Sequence, residues 1–162
     1  MAIQPAVIDR PTQDYVAIRR TVTMDTIADI ADRIPDVFAF LGDRGIPPAG
    51  PPFLKYNVID MERSLEIEAG VPVRFPVEGG GEVFPGVLPA GRYATVTHVG
   101  HPDALIDVTG ALLRWAHERD LEFDRHDSPQ GDVWRCRLEI YHSNPAEVPI
   151  EKWETELAFL LR

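Results

Sequence analysis

YVAIRRTV (15–22), MDTIADIADRIPDVFAFLGDRG (24–45), FLKYNVI (53–59) and SLEIEAGV (64–71) form a series that the chain then repeats. The second copy runs YATVTHVG (93–100), HPDALIDVTGALLRWAHERD (101–120), RCRLEIY (135–141) and WETELAFLL (153–161). Each series reads strand, helix, strand, strand. Identities recur in step: Tyr15 with Tyr93, Asp25 with Asp103, Tyr56 with Tyr141 and Glu66 with Glu156. One such unit cannot bury both its sheet and its helix faces. The tandem therefore predicts a single α+β domain over residues 1–162, with pseudo-twofold symmetry, a curved antiparallel sheet and two helices. Repeat one takes residues 13–72, a linker 73–90 and repeat two 91–162. A concave seam between the copies is the expected place for a binding site.

The helices rest on three-to-four spacing, with Ile27, Ile30, Ile34, Val37 and Leu41 in the first and Leu105, Val108, Leu112 and Trp115 in the second. Pro35 falls inside the first pattern and removes a hydrogen bond there, so that helix is expected to kink or divide. Asp25 and Asp103 stand near the predicted amino ends, where a carboxylate can accept backbone N–H bonds. IPPAGPP (46–52) reads as a stiff connector into the next strand. The linker, with Gly79, Gly80 and Gly81, reads as mobile, because a phosphate loop would need its glycines to open a helix with a lysine and a hydroxyl in step.

Composition narrows the function. A formal net charge of −10, with basic residues scattered among more numerous acids, argues against a nucleic-acid partner. No run approaches a membrane span, and the first residues lack the basic head and apolar middle of a signal peptide, so a cytoplasmic location is expected. The one cysteine, Cys136, allows no intramolecular disulfide and reads as core packing. His98 and His101 straddle Gly100 without a metal-binding helix or loop around them, and the serines lack a nucleophile-elbow context, so neither a metal nor a serine triad is expected.

The chemistry concentrates on the second strand of repeat two. Alternation puts Trp134, Cys136, Leu138 and Ile140 on one face and Arg135, Arg137, Glu139 and Tyr141 on the other. A carboxylate beside an aromatic on a central strand can pair with a cationic or donor-bearing ligand or, when desolvated, serve as a general acid or base. Repeat one keeps the tyrosine, as Tyr56, but has Leu54 where repeat two has Glu139. The symmetry is broken at the carboxylate, which suggests an asymmetric pocket. Glu66 and Glu156 read as structural or solvent-facing.

VLPAGRYATVTHVGHPDAL (87–105) and RLEIYHSNPAEVPIEKWETELAFLL (137–161) together resemble the GyrI-like small-molecule-binding domain family, which also supplies the effector-binding half of multidrug-responsive transcription regulators. The resemblance covers nearly the whole chain. It implies a pocket between the modules for bulky aromatic or cationic compounds, with Glu139 inside and Tyr141, Tyr56, Trp115, Trp153 and Phe53 as aromatic walls, and with no cofactor or metal. Trp115, Phe53 and Trp134 also suit a core. Only fourteen residues precede the first strand, so no DNA-reading helix-turn-helix is expected ahead of the domain. Stand-alone members are similar to scavengers of toxic or signalling compounds, to hydrolases that open strained electrophilic rings with the pocket glutamate, and to inhibitors that touch DNA gyrase. Binding for sensing or sequestration is the leading expectation, hydrolysis by Glu139 the alternative, and a gyrase partner the third. A homodimer or a separate regulatory partner stays open.

Overall fold

The computed structural model describes residues 3–162. Repeat one comprises strand β2 (Gln13–Val22), helices α1 (Ala28–Ala31) and α2 (Ile34–Asp43), and strands β3 (Phe53–Asp60) and β4 (Ser64–Pro72), preceded by β1 (Ala6–Arg10). Repeat two comprises β6 (Gly91–Val99), helix α3 (Leu105–Glu118), a hairpin of β7 (Arg125–Ser128) and β8 (Gly131–Trp134), then β9 (Arg137–Tyr141) and β10 (Glu154–Leu160), preceded by β5 (Phe84–Leu88). The strands form one antiparallel sheet in the order β1-β6-β10-β9-β3-β4-β2-β5, and the hairpin joins β3 through β8. The sheet curls into a half-barrel and carries the helices on one face. Among the described residues no helix is long and apolar enough to cross a membrane.

The two repeats meet where β3 pairs with β9, in the register Phe53↔Ile140, Leu54↔Glu139 and Lys55↔Leu138. The offset that matches Tyr56 to Tyr141 also matches Leu54 to Glu139. Since these two residues are direct cross-strand partners, the pseudo-twofold axis passes between them. The outer strands are exchanged. β1 leads into β2 but pairs with β6, and β5 leads into β6 but pairs with β2. Each repeat thus adds a strand to the outer side of the other, which ties the halves together and leaves the short strands β1 and β5 as the edges of the sheet. β5 lies inside the stretch read above as a mobile linker, and a tight turn precedes it, with reciprocal backbone bonds between Gly80 and Val83.

Three apolar clusters follow from strand alternation. On the helix face, Ile30, Val37 and Leu41 pack against Val16, Ile18, Leu65 and Ile67, while Leu105, Val108 and Leu112 pack against Val96, Leu157 and Phe159. The alternate residues, including Tyr15, Phe53, Tyr93, Leu138, Ile140 and Leu160, fill the opposite, curled face. Pro35 divides the first helix: it sits in the opening turn of α2, where its missing N–H costs nothing. Neither Asp25 nor Asp103 caps a helix through its carboxylate. The His101 ring Nδ1 instead accepts the Asp103 backbone N–H at 3.1 Å. The single strand expected through residues 134–141 also breaks, because the chain bends at Arg135 and Cys136. Trp134 therefore packs with Phe123 and Phe159 on the helix side, away from Cys136, Leu138 and Ile140.

Two glycines test this packing in opposite directions. A Cβ on Gly70 would stand 2.5 Å from the ring of Phe53, which is 1% exposed and held edge-on by Tyr15 at 5.3 Å. A Cβ on Gly42, in α2, meets nothing within 4 Å. In urea denaturation Gly70→Ala is expected to cost about 1–3 kcal/mol, and Gly42→Ala to stabilise by about 0.5–1 kcal/mol.

Candidate ligand-binding site

β9 presents Arg137, Glu139 and Tyr141 to the helix face because Leu138 and Ile140 are drawn into the opposite core. The Tyr141 hydroxyl donates to Glu139 Oε1 at 2.6 Å, and the Tyr56 hydroxyl donates to Oε2 at 3.3 Å. Each carboxylate oxygen thus receives one phenol, and the two phenols come from symmetry-related positions. This follows from the axis: a side chain on it lies within reach of the equivalent tyrosine of both repeats. Burial pushes the Glu139 carboxyl above the usual carboxylate range, opposed by the two phenolic hydrogen bonds and by the Arg137 charge. Burial, reinforced by the Glu139 charge, holds both phenols well above their ordinary range, so they stay protonated donors.

A cavity of about 300 Å³ opens beside this group, over the β3–β9 seam. Its floor carries Tyr56, Arg137, Glu139 and Phe159, and its walls come from Ile27 of repeat one and Leu105 and Thr109 of repeat two. Met24, Met61 and Ile106 line it while remaining 37%, 63% and 71% exposed. Flexible apolar side chains held at the mouth of a cavity are suited to closing over ligands of differing shape. A second cavity, of about 860 Å³, lies on the Tyr141 side, between Phe38, Pro35 and the loop through Asn144. The Glu139–Tyr141 pair stands between the two.

Arg137 is held by ring faces, with its guanidinium carbon 4.6 Å from the ring centroids of both Trp134 and Phe159 and 6.0 Å from that of Tyr56. Burial works against its charge, and the Tyr56, Asp132 and Glu139 groups act to retain it. Among the described residues no three His, Cys, Asp or Glu side chains come together to hold a metal ion.

Of the aromatics suggested by sequence, Tyr56 and Tyr141 reach Glu139 and three do not. Trp115 stands ten residues along α3 from Leu105, about 15 Å further along the helix axis, where it packs on the repeat-two core under Arg119. The Trp153 indole N–H donates to the Val148 carbonyl at 2.9 Å and fastens the loop ahead of β10. Phe53 lies three residues before Tyr56 on the same strand, which puts it on the opposite face against Tyr15. Glu156 pairs with Arg10 at 2.7 Å and with His142 at 2.8 Å. A second buried carboxylate, Glu68, lies on the curled face and accepts from Tyr15 at 2.5 Å and Asn57 at 2.6 Å, with Lys55 at 3.4 Å, a saturated structural cluster. Cavity residues to which the sequence reading gave no part in binding include Arg137, Ile106, Thr109, Met24 and Met61. Arg137 carried a signal, since alternation placed it beside Glu139.

The fold is similar to several solved structures. The C-terminal domain of EcmrR aligns with 100% of this chain and 99% of its own at 18% identity, TM-score 0.78. In the complex of EcmrR with DNA the match is 19% identical with TM-score 0.79, and the present chain spans 57% of that longer one. SAV2435, solved bound to tetraphenylphosphonium, is 12% identical over 100% of this chain and 94% of its own, TM-score 0.63. A hydrolase from Listeria innocua is 16% identical over 98% and 92%, TM-score 0.66. At these identities the likeness establishes the fold alone. Among curated protein sequences none matches. The model of the GyrI-like small molecule binding domain matches residues 3–162. With the tandem repeat, the seam cavity and a match over its whole described length, the chain belongs to the GyrI-like small molecule binding domain family.

Proposed function

We propose that the protein takes up bulky aromatic or cationic compounds in the cavity between its repeats, for sensing or sequestration, with Glu139 as the polar anchor and Tyr56 and Tyr141 as the groups that position it. The observation that carries this reading is a desolvated carboxylate, held by two phenols, on the floor of an apolar cavity rimmed by exposed methionine and isoleucine. The tetraphenylphosphonium complex of the structurally similar SAV2435 supports it.

Magnitudes assign the roles. Removing about 150 Å² of apolar ligand surface from water contributes about 4 kcal/mol, equivalent to a Kd of about 1 mM. Useful affinity therefore depends on the polar contact. A charge-assisted bond to a carboxylate adds about 1.5–3 kcal/mol. The walls give breadth, and Glu139 gives the selection for a donor or a positive charge. The protected position of the two phenols assigns them to holding the carboxylate, since neither ionises in the working range.

Aminoacridine, a planar fluorescent aromatic cation, is a suitable probe. Glu139→Gln is expected to weaken its binding by about tenfold or more in a fluorescence titration, with the ligand recovered unchanged by mass spectrometry. Undiminished affinity would remove Glu139 from the site, and a product heavier by one water, formed from a strained-ring electrophile and absent with Glu139→Gln, would replace uptake by hydrolysis.

A pH dependence follows with a defined sign. Because the native carboxyl titrates above the unfolded one, the native state holds the proton longer, and stability falls as pH rises through the raised native pKa. Cation affinity moves the other way and grows over the same interval. The difference in urea midpoint between wild type and Glu139→Gln is expected to shift against the wild type as pH rises from acid to neutral, while the wild type's advantage in probe affinity grows over the same interval.

A further inference from the structure

Arg137 presents a charge for which the protein supplies no bonded partner. Its guanidinium carbon lies 4.6 Å from the centroids of both Trp134 and Phe159, two rings inclined at 64° that confine the group from one side and offer its N–H groups no acceptor. It lines the cavity, and hydrogen bonding does not figure among the influences on its charge. Both nearby acids are engaged elsewhere. Asp132 accepts from Arg125 and, at 2.9 Å, from the Trp134 indole, and the two Glu139 oxygens accept from Tyr141 and Tyr56. Among the described residues Arg137 thus makes no hydrogen bond or close ion pair, and the nitrogens of this half-buried side chain stay open to solvent, where an acceptor on a ligand can replace water.

We infer that Arg137 determines specificity in this cavity, which takes amphoteric aromatic ligands, carrying an acceptor or anionic group for the guanidinium as well as a donor or cation for Glu139. This rests on the uptake reading above and narrows its ligand class. Residues 137 and 139 project from the same face of one strand about 7 Å apart, a separation that a single fused-ring compound spans. A plain lipophilic cation meets attraction from Glu139 and repulsion from Arg137, and an added carboxylate converts the repulsion into a planar, charge-assisted contact. The guanidinium is already confined beside its two rings, so less side-chain freedom is lost when the contact forms.

The test compares aminoacridine with an aminoacridine bearing a ring carboxylate on the edge opposite its amino group, both titrated by fluorescence against the full chain. The wild type is expected to bind the carboxylated probe at least about tenfold tighter. Arg137→Gln is expected to abolish that preference and, by removing the repulsion, to bind the plain cation more tightly than the wild type does, and Arg137→Lys to retain a reduced preference. Should Arg137→Gln fail to fold, the wild-type comparison and Arg137→Lys decide the matter. Equal affinity of the wild type for the two probes would overturn the inference and leave the uptake reading standing, as would an equal loss of both probes in folded Arg137→Gln. If the folded wild type binds neither probe, the uptake reading falls and this inference with it.

Discussion

The pairing of β3 with β9 is the constraint on which the rest of this molecule depends. It is short, and it lies on the pseudo-twofold axis, so the residues at its centre, Leu54 and Glu139, are each other's counterparts as well as neighbours. A position on an axis is offered the same surroundings by both halves. With an acid at one of the two positions, the tyrosine of each repeat lies within reach, and the carboxylate has two donors without any further element of structure. Leu54 remains an apolar neighbour at 1% exposure, and it keeps the site from becoming a pair of like charges. The duplication thus supplies the walls and the donors, and the departure from symmetry supplies the charge.

Such a site opposes stability locally. A half-buried carboxylate whose pKa is raised by desolvation costs the native state stability at neutral pH. Compensation comes from the periphery. The exchange of β1 and β5 between the repeats makes separation of the halves require the loss of two further ladders. The saturated Glu68 cluster on the curled face shows the contrasting use of a buried acid: its donors come from Tyr15, Asn57 and Lys55.

Much of this was legible in the sequence because it follows from period and repetition. The doubled series of strand and helix stretches defines the fold class, alternation puts Glu139, Tyr141 and Arg137 on one face, and the repeat alignment brings in Tyr56. Alternation also carried a signal that went unused, since Phe53 and Tyr56 are an odd number of residues apart on one strand and must face opposite ways. Other features have no local signature. The exchange of β1 and β5 joins segments far apart in the chain, and either strand would suit its neighbouring partner equally well by composition. The bend at Arg135 and Cys136 that swings Trp134 to the other face interrupts a run of clean alternation. Met24 and Met61 lie outside any helix or strand, where periodicity says nothing, yet they form much of the cavity mouth.

Opposite charges two residues apart on one strand also decide what an apolar wall can and cannot do. In the free protein, cavity water can serve the edge of Arg137 and the remaining lone pairs of Glu139. A wholly apolar ligand expels that water and returns no bonds. The loss, at about 1–3 kcal/mol for each polar group left unserved and more where the group is charged, consumes most or all of the roughly 4 kcal/mol that burial of 150 Å² provides. An apolar compound of the right size is thereby rejected by the same walls that would otherwise welcome it. The net charge of −10 does not alter this balance, because distant surface charges are screened over about 8 Å at physiological ionic strength. On the uptake proposed above, selection is therefore exercised at the floor of the cavity, by one acid and one base, and the rim sets only the range of shapes that can reach them.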